Sequence, residues 1–252
     1  MAKSPPTVLA FAASDPTGGA GVQADLLTLA ARGCHPLSVV TALTVQDTHG
    51  VERIEAVDAN LVAEQARRVL ADFRVAAFKL GVLGSAENAA AIGTVLAAHT
   101  GTPVVVDPVL ASGRGDALAG EETIAVMNDD ILPLAAVATP NTVEAERLGG
   151  VRAILATGCR YVLLTGTHAE GAEVVNRLYD ATGVVREDHW PRLPGSYHGS
   201  GCTLASALAA ALARGLPMAD AARDAQDYTW HALKAGFRPA AGQYIPQRFF
   251  GN

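Results

Sequence analysis

Short, continuous runs of apolar residues alternate along the chain with longer, alanine-rich amphipathic stretches. Residues 7–12 (TVLAFA) predict a buried strand, and residues 19–32 predict the helix that follows it. The alternation predicts further strands at 36–43, 76–80, 103–106, 135–138 and 161–164, a hairpin at 175–180 and 183–189, and helices at 59–72, 87–99, 203–214 and 217–236. Buried apolar strands that alternate with helices indicate an α/β fold, in which a mostly parallel sheet is covered by helices on both faces.

The composition supports a large buried core. Hydrophobic residues make up 50% of the 252 residues and charged residues 17%, which argues against disorder. Aromatic residues are only 5%, so the core must be built from Ala, Val and Leu. The length is typical of one domain, and we find no repeat or linker, so we expect a single domain over residues 1–252.

Charge and cysteine content exclude several classes of protein. The net charge of −6, with no basic run, argues against a nucleic-acid surface. No apolar stretch approaches the length of a membrane span, and residues 1–13 lack the three-part pattern of a signal peptide. Cys34, Cys159 and Cys202 form no CxxC pair, which argues against a zinc or redox site and suits a reducing compartment. We therefore expect a cytoplasmic protein with no membrane or nucleic-acid partner.

Polar residues follow the ends of several predicted strands. They are Asp15, Gln46, Asp107, Asn141 and Thr165. Ligands bind beyond the carboxyl ends of the strands in open parallel sheets. Any one of these residues alone is compatible with an ordinary loop, but their recurrence indicates a ligand site at this edge.

The run His198-Gly-Ser-Gly-Cys-Thr203 is the strongest local signal. Two glycines before a helix allow backbone N–H groups to converge, and the N-terminus of the helix adds a favourable field for phosphate. Cys202 falls in the first helical turn, where the N–H groups are expected to lower the pKa of a thiol and allow it to act as a base. The alternatives are a simple glycine-rich helix start and a small packing cysteine. The run is not a Walker loop, because no Gly-Lys-Ser/Thr is present.

Three weaker signals accompany it. The glycine-rich loop that begins at Asp15 is not a GxGxxG fingerprint and is equally compatible with a strand-to-helix turn. Asn141 and Glu144 are spaced either for a magnesium-bound water or for a helix capping box. Asp107 ends a VVV strand before Ser112-Gly-Arg-Gly115, as either a metal or phosphate ligand or part of an Asx turn. Lys79-Leu80-Gly81 and Thr165-Gly-Thr-His168 are weaker still.

Taken together, these motifs resemble the bacterial hydroxymethylpyrimidine and phosphomethylpyrimidine kinases of thiamine biosynthesis, which belong to the ribokinase-like superfamily. The resemblance is collinear over almost the whole chain. It rests on residues 12–51, FKLGVLGS at 78–85, VVVDPVLASGRG at 104–115, ATPNTVEA at 138–145, and HGSGCTLASALAAALARG at 198–215. The most specific element is Cys202, because sugar kinases of the superfamily carry Asp at that position.

The resemblance implies a ribokinase-like three-layer fold, a homodimer, ATP with Mg²⁺, and two successive phosphorylations of a small pyrimidine alcohol. It also implies residue roles. Cys202 is the base and Gly199, Ser200 and Gly201 form the anion hole; Gln46, Asp15, Gly19, Ala20 and Val109 bind the substrate; Asn141, Thr165, Gly166 and Thr203 bind the nucleotide; Asp107 and Glu144 hold the metal. An amide at position 46 suits an aminopyrimidine edge, because it can both donate and accept hydrogen bonds.

The chain departs from the family pattern at two places. Many members carry Lys at the position of Thr165, so we expect weaker direct contact with the ATP phosphates here. The segment between Leu148 and Cys159 is also shorter than in the family, which predicts a truncated helix.

Three alternatives remain open at this point. The first is a pyridoxal or pyridoxine kinase on the same fold, which Gln46 disfavours. The second is a non-catalytic ligand sensor, which the intact Gly-Ser-Gly-Cys loop disfavours. The third is an NAD-dependent enzyme, which lacks its glycine fingerprint.

Overall fold

The computed structural model describes residues 4–111, 116, 118–167 and 171–250. Within them, nine strands form one sheet and eight α-helices pack around it. The strands are β1 (Thr7–Ser14), β2 (His35–Gln46), β3 (Val51–Ala56), β4 (Val75–Leu80), β5 (Val104–Val106), β6 (Val137–Ala138), β7 (Val162–Leu164), β8 (Glu173–Asp180) and β9 (Gly183–Pro191). The helices are α1 (Gly21–Ala31), α2 (Ala59–Asp72), α3 (Ala86–Ala97), α4 (Glu121–Val126), α5 (Thr142–Arg147), α6 (Val151–Ala156), α7 (Ser200–Ala213) and α8 (Met218–Lys234).

The strand order creates a crevice beside β1. The order is β3-β2-β1-β4-β5-β6-β7-β8-β9, with parallel pairing from β2 to β7 and antiparallel pairing at both edges. The chain leaves β1 toward β2 on one side and returns as β4 on the other, so Phe11 pairs with both Val39 and Leu80. Ligands bind in open α/β sheets at such a reversal, beyond the carboxyl ends of the strands.

Alternate residues of each strand face opposite cores. Val8 packs with α1, α7 and α8 on one face, whereas Leu9 and Phe11 pack with α2 and α3 on the other. The buried face of α7 is largely alanine, including Ala205 and Ala207. Small side chains allow this helix to lie close to the sheet, which fixes the position of its N-terminus relative to the strand ends.

The predicted strands and helices are confirmed, with end points that shift by a few residues, but the short helix α4 was not predicted. The strand β3 was not predicted, because its charged residues Glu52, Arg53 and Glu55 leave only a weak apolar pattern; it is held by antiparallel pairing with β2. The short segment after Leu148 contains α6, a helix of six residues. In the described part of the chain, no helix combines the length and apolar character that crossing a bilayer requires.

Candidate active site

A cavity of about 790 Å³ opens at the carboxyl edge of the parallel strands. Most of the residues that the sequence predicts for the site line it. They are Asp15, Ala20, Gln46, Asp107, Val109, Asn141, Glu144, Thr165, Gly199, Ser200, Gly201 and Cys202. Ser112–Gly115 and His168, which accompany the weaker motifs, lie outside the described residues.

Three of the residues assigned to ligand binding lie behind the cavity wall. Gly19, Gly166 and Thr203 do not line it. Gly166 N–H donates to the buried Asn176 Oδ1 at 3.0 Å, and a Cβ at Gly166 would lie 2.2 Å from Val175 O. Thr203 is fully buried and donates from Oγ1 to Gly199 O at 2.8 Å. In this structure the three residues pack against the residues that line the cavity and do not line it themselves.

The predicted anion loop begins at Gly199, in a left-handed conformation (φ 79°) directly before α7. A Cβ at this position would lie 2.0 Å from Gly19 O, so only glycine allows the two glycine loops to meet. The first N–H groups of a helix have no partner within the helix. Those of Ser200, Gly201 and Cys202 therefore form a cluster of donors at the cavity edge, suited to a phosphoryl group.

Asp15 organises the loop on the substrate side. Its buried carboxylate accepts hydrogen bonds from Thr17 N–H (2.8 Å), Ala20 N–H (2.7 Å) and Thr17 Oγ1 (2.9 Å), and its Oδ2 lies 2.8 Å from His198 Nε2. Burial would raise the pKa of Asp15, but these hydrogen bonds, led by that of His198, hold it well below its usual value. Asp15 is therefore an anionic anchor that ties its loop to the residue preceding Gly199.

A buried cation lies at the cavity wall. Lys79 Nζ lies 2.8 Å from Asp25 Oδ1 and 3.9 Å from Asp107 Oδ2, and Ser206 Oγ donates to Asp25 Oδ1 at 2.8 Å. Burial would lower the pKa of Lys79, but Asp25, with further contributions from Cys202 and Asp107, raises it above the ordinary value. Lys79 is therefore charged, and its charge lies beside both the candidate base and a candidate metal ligand.

The environment of Cys202 differs from the sequence expectation. The thiol is half-buried at the start of α7. Burial raises its pKa to about 12; Lys79 opposes this rise, and Asp107 and Asp25 add to it. The expected lowering of the pKa is therefore wrong for the protein without ligands, because the cost of burying a thiolate outweighs its favourable neighbours. Cys34 and Cys159 are buried, as expected.

Asp107 and Glu144 form a pair of carboxyl groups with raised pKa values. Burial raises the pKa of Asp107 to about 6, with Lys79 opposing the rise. Burial, together with the charge of Asp107, raises that of Glu144 to about 8. Glu144 also completes a capping box, because its Oε2 accepts from Asn141 N–H and Asn141 Oδ1 accepts from Glu144 N–H, each at 2.9 Å. The capping alternative is thus confirmed, while Glu144 still lines the cavity.

These carboxyl groups fit a magnesium ion. Asp107 Oδ2 is buried without a hydrogen-bond partner, and such an atom is stabilised when a cation reaches it. Magnesium keeps several water ligands and needs only one or two carboxylates. No cluster of three or more His, Cys, Asp or Glu side chains suited to a metal occurs among the described residues.

The two ends of the cavity differ in chemistry. At one end, Gln46 lies near Val51 and Val109, and its amide makes no hydrogen bond to the described residues, so it is available to a ligand. At the other end, Trp190 and Trp230 stack with their ring centroids 6.2 Å apart. A polar heterocycle therefore suits the Gln46 end, and a flat base suits the tryptophan end.

Several residues that shape the site were not predicted from the sequence. A buried chain of hydrogen bonds runs from Asn176 Nδ2 to Gln226 Oε1 (3.0 Å) and from Gln226 Nε2 to Asp188 Oδ2 (2.9 Å), and it holds Gly166 in place through Asn176 Oδ1. Arg248 was missed as well, and Lys79 and His198 were named only as members of their motifs, with no role assigned. The role of Lys79 could have been predicted, because it is a charged residue inside a predicted buried strand, and such a residue is rarely buried without a partner.

The chain matches the family model described as phosphomethylpyrimidine kinase over residues 15–247. It is 42% identical to a hydroxymethylpyrimidine/phosphomethylpyrimidine kinase of Streptomyces coelicolor, over 95% of this chain and 93% of the relative. It is 38% identical to a kinase of the same name from Mycobacterium tuberculosis, over 93% of this chain and 90% of the relative.

Solved structures show the same architecture. The pyridoxal kinase of Staphylococcus aureus, solved with ADP, superposes with a TM-score of 0.89 at 25% identity, over 99% of this chain and 96% of the other. A phosphomethylpyrimidine kinase of Clostridium difficile superposes with a TM-score of 0.77 at 33% identity, over 89% of this chain and 97% of the other. The fold is thus ribokinase-like, as expected, and the chain belongs to the phosphomethylpyrimidine kinase family.

Proposed function

We propose that this protein transfers a phosphoryl group from ATP to 4-amino-5-hydroxymethyl-2-methylpyrimidine and then to the resulting monophosphate. The observation that carries the proposal is the position of Cys202 and the anion loop between the two ends of one cavity. Gln46 lies at the end of the cavity that we assign to the pyrimidine. Asp107 and Glu144 lie in the part that we assign to the ATP phosphates. The names of the relatives support the same reaction.

The transition state of phosphoryl transfer is loose, so positioning and charge stabilisation account for most of the rate. The N–H groups of Ser200, Gly201 and Cys202 are placed to bind the transferred group as its charge redistributes. Asp107 and Glu144 would hold Mg²⁺, which supplies neutralisation of phosphate charge when it is bound.

Cys202 is the group that we assign to the proton of the substrate hydroxyl. Only the thiolate can accept this proton. Burial favours the neutral thiol, so Cys202 has to lose its own proton to solvent before the transfer, and the charge of Lys79 favours that loss. A loose transition state leaves the proton on the attacking oxygen until late, so a base contributes about 10²–10⁴-fold at most. Lys79 then has a double role, because its charge assists the thiolate and also stabilises ionised Asp107 at 3.9 Å.

Two arginines can replace the positive charge that many family members have at the position of Thr165. Arg147 and Arg192 line the same cavity, and Arg192 donates from Nη1 to Thr167 O at 3.0 Å. We infer that Arg147 and Arg192 supply the positive charge on the nucleotide side.

We further propose that the protein is cytoplasmic, that residues 1–252 work as one domain, and that two copies form a homodimer. Leu43 and Val45 on β2 are exposed large apolar residues, which a second copy would cover. Sedimentation of the purified protein tests the dimer, and a single cooperative unfolding transition tests the domain assignment.

A second candidate, phosphorylation of pyridoxal, is favoured by the similarity to the pyridoxal kinase of Staphylococcus aureus, which has been solved in complex with pyridoxal. One experiment separates the two. Purified protein is incubated with ATP, Mg²⁺ and either alcohol, and the products are resolved by mass. A pyrimidine diphosphate supports the proposed function, a pyrimidine monophosphate alone restricts it to one step, and pyridoxal phosphate as the only product overturns it. No product from either alcohol would leave a ligand-sensing role.

A further inference from the structure

The C-terminal segment (residues 235–250) brings a buried guanidinium to the back of the active site. Arg248 is only 3% exposed. Its Nη2 donates to Gly19 O at 2.6 Å, and its Nε donates to Thr203 Oγ1 at 3.2 Å. Arg248 therefore contacts the Asp15 loop directly and the anion loop through Thr203, and it does not line the cavity.

The charge of Arg248 is not used in an ion pair. Among the described residues, no carboxylate lies within 4.0 Å of its guanidinium nitrogens, although many other arginines here have such partners. A buried cation without a carboxylate is costly, so its hydrogen bonds must be well placed to retain it. The planar fork of arginine is suited to this, because it can donate in two fixed directions at once.

The first bond orients a peptide group of the site directly, and the second does so through the hydroxyl of Thr203. In a trans peptide the C=O and the following N–H point in opposite directions. When Arg248 holds Gly19 O on one side, the N–H of Ala20 points to the other side, where it donates to Asp15 Oδ2 at 2.7 Å. The guanidinium and Asp15 thus hold one peptide group from both ends.

The same logic applies to the anion loop. Thr203 Oγ1 accepts from Arg248 Nε and donates to Gly199 O at 2.8 Å. With Gly199 O turned back toward the helix, the N–H of Ser200 in the same peptide group points away from it, toward the cavity. Gly199 and Gly19 also meet directly, so a shift of one loop moves the other.

We propose that Arg248 is a positioning residue that holds the two glycine loops in the orientation needed for phosphoryl transfer. This inference rests on the proposed function of the same site. Arg248 does not line the cavity, so it acts through the peptide groups of Gly19 and Gly199. We expect its main effect on the transition state, because the N–H groups of the anion loop are placed to bind the transferred group. A shift of the Asp15 loop should add only a small rise in the KM for the pyrimidine, because Gln46, at the end of β2, is not bonded to Arg248.

The test is a set of variants at one position in the full chain. Arg248→Lys keeps the charge and loses the fork, and Arg248→Ala opens a space that methylguanidinium can enter. We expect both to lower kcat by about 10²-fold, the cost of a small misplacement of reacting groups, with little change in the KM for the pyrimidine. Methylguanidinium should restore part of the kcat of Arg248→Ala. The matched control is Arg238→Lys, an exposed arginine of the same segment that bonds to Gly242 O.

Hydrogen exchange of the amides in residues 15–21 and 198–203 gives a readout that does not depend on turnover. We expect faster exchange there in Arg248→Lys at a temperature where both proteins are folded. The proposal would be overturned if the variants had the kcat and the exchange rates of the wild type. It would also be overturned if the loss of kcat were only proportional to the fraction of unfolded protein and methylguanidinium did not restore it. If the wild-type protein itself has no kinase activity, the proposed function fails, while the exchange experiment still decides the positioning role.

Discussion

Lys79 and Asp25 form an ion pair that is completely inaccessible to solvent, with Nζ 2.8 Å from Oδ1. The pair joins β4 to α1 directly under Cys202. Ser206 of α7 adds a hydrogen bond to the same carboxylate, so three elements are tied at this point. Removing one partner of such a buried ion pair strongly lowers the free energy of unfolding, because the other charge is left buried and unpaired.

Lys79→Met is therefore expected to lower the free energy of unfolding by about 3–5 kcal/mol, because it leaves Asp25 as an uncompensated buried charge. The double variant Lys79→Met/Asp25→Asn should recover much of this loss, since neither side chain is then charged. Denaturant unfolding of the single and double variants measures both. Equal loss in the single and double variants would show that packing, and not charge, accounts for the effect.

Cys202→Ala is expected to reduce kcat by about 10²–10⁴-fold, because the group that takes the hydroxyl proton is absent. The affinity for ADP should stay the same, since the backbone amides of the anion loop are retained. Steady-state kinetics and calorimetric titration of ADP measure the two quantities. Cys34→Ala, at a buried cysteine remote from the cavity, is the control. Unchanged turnover in Cys202→Ala would remove the assignment of the base.

The role of Cys202 can be predicted from the sequence alone, whereas the ion pair of Lys79 and Asp25 cannot. Cys202 and its glycines are neighbours in sequence, so the anion loop could be predicted from local pattern. Lys79 and Asp25 are 54 residues apart, and Ser206 is 181 residues from Asp25. Only the order of strands brings them together, and no local pattern carries that information.

The same reason explains which parts of the fold were predicted. Buried parallel strands have continuous apolar runs, so β1, β4 and β5 were evident. The edge strand β3 has charged residues on its exposed positions and gains its structure from β2. The pKa of Cys202 was predicted in the wrong direction because the helix start is visible in sequence, whereas the burial around the thiol is not.

Stability without ligands should depend on the ionisation of Glu144. Burial raises its pKa from an ordinary 4.5 to about 8, so between these values the folded protein holds a proton that the unfolded chain releases. The contribution of Glu144 to stability is thus fully present below about pH 4.5 and is lost as the pH rises through about 8, by at most about 1.4 kcal/mol per pH unit. Unfolding in EDTA from pH 5 to 9 should show this loss in the wild type and a smaller one in Glu144→Gln. Parallel curves for the two proteins would contradict the raised pKa.

Thr165→Lys is expected to lower the KM for ATP, because it restores a cation on the nucleotide side of the cavity. The gain should be about tenfold or less, since a partly exposed charge pair contributes about 1 kcal/mol at most. It should shrink as salt is added, because screening weakens the pair. Thr94→Lys, at an exposed residue of α3 that does not line the cavity, is the control for added charge alone. An unchanged KM would indicate that Arg147 and Arg192 already fill this role.

Gln46 is expected to determine the choice between the pyrimidine and pyridoxal. Its amide makes no hydrogen bond to the residues that the structure describes, so a ligand edge with both donors and acceptors can satisfy it fully. Gln46→Leu removes these hydrogen bonds and should lower kcat/KM for the pyrimidine by about 10–200-fold, a loss of about 1–3 kcal/mol. The value for pyridoxal should fall much less, because pyridoxal lacks the aminopyrimidine edge. Competition between the two alcohols at equal concentration measures the change directly. Equal losses for both alcohols would place the discrimination elsewhere, and the wall formed by Val51 and Val109 would be the next region to vary.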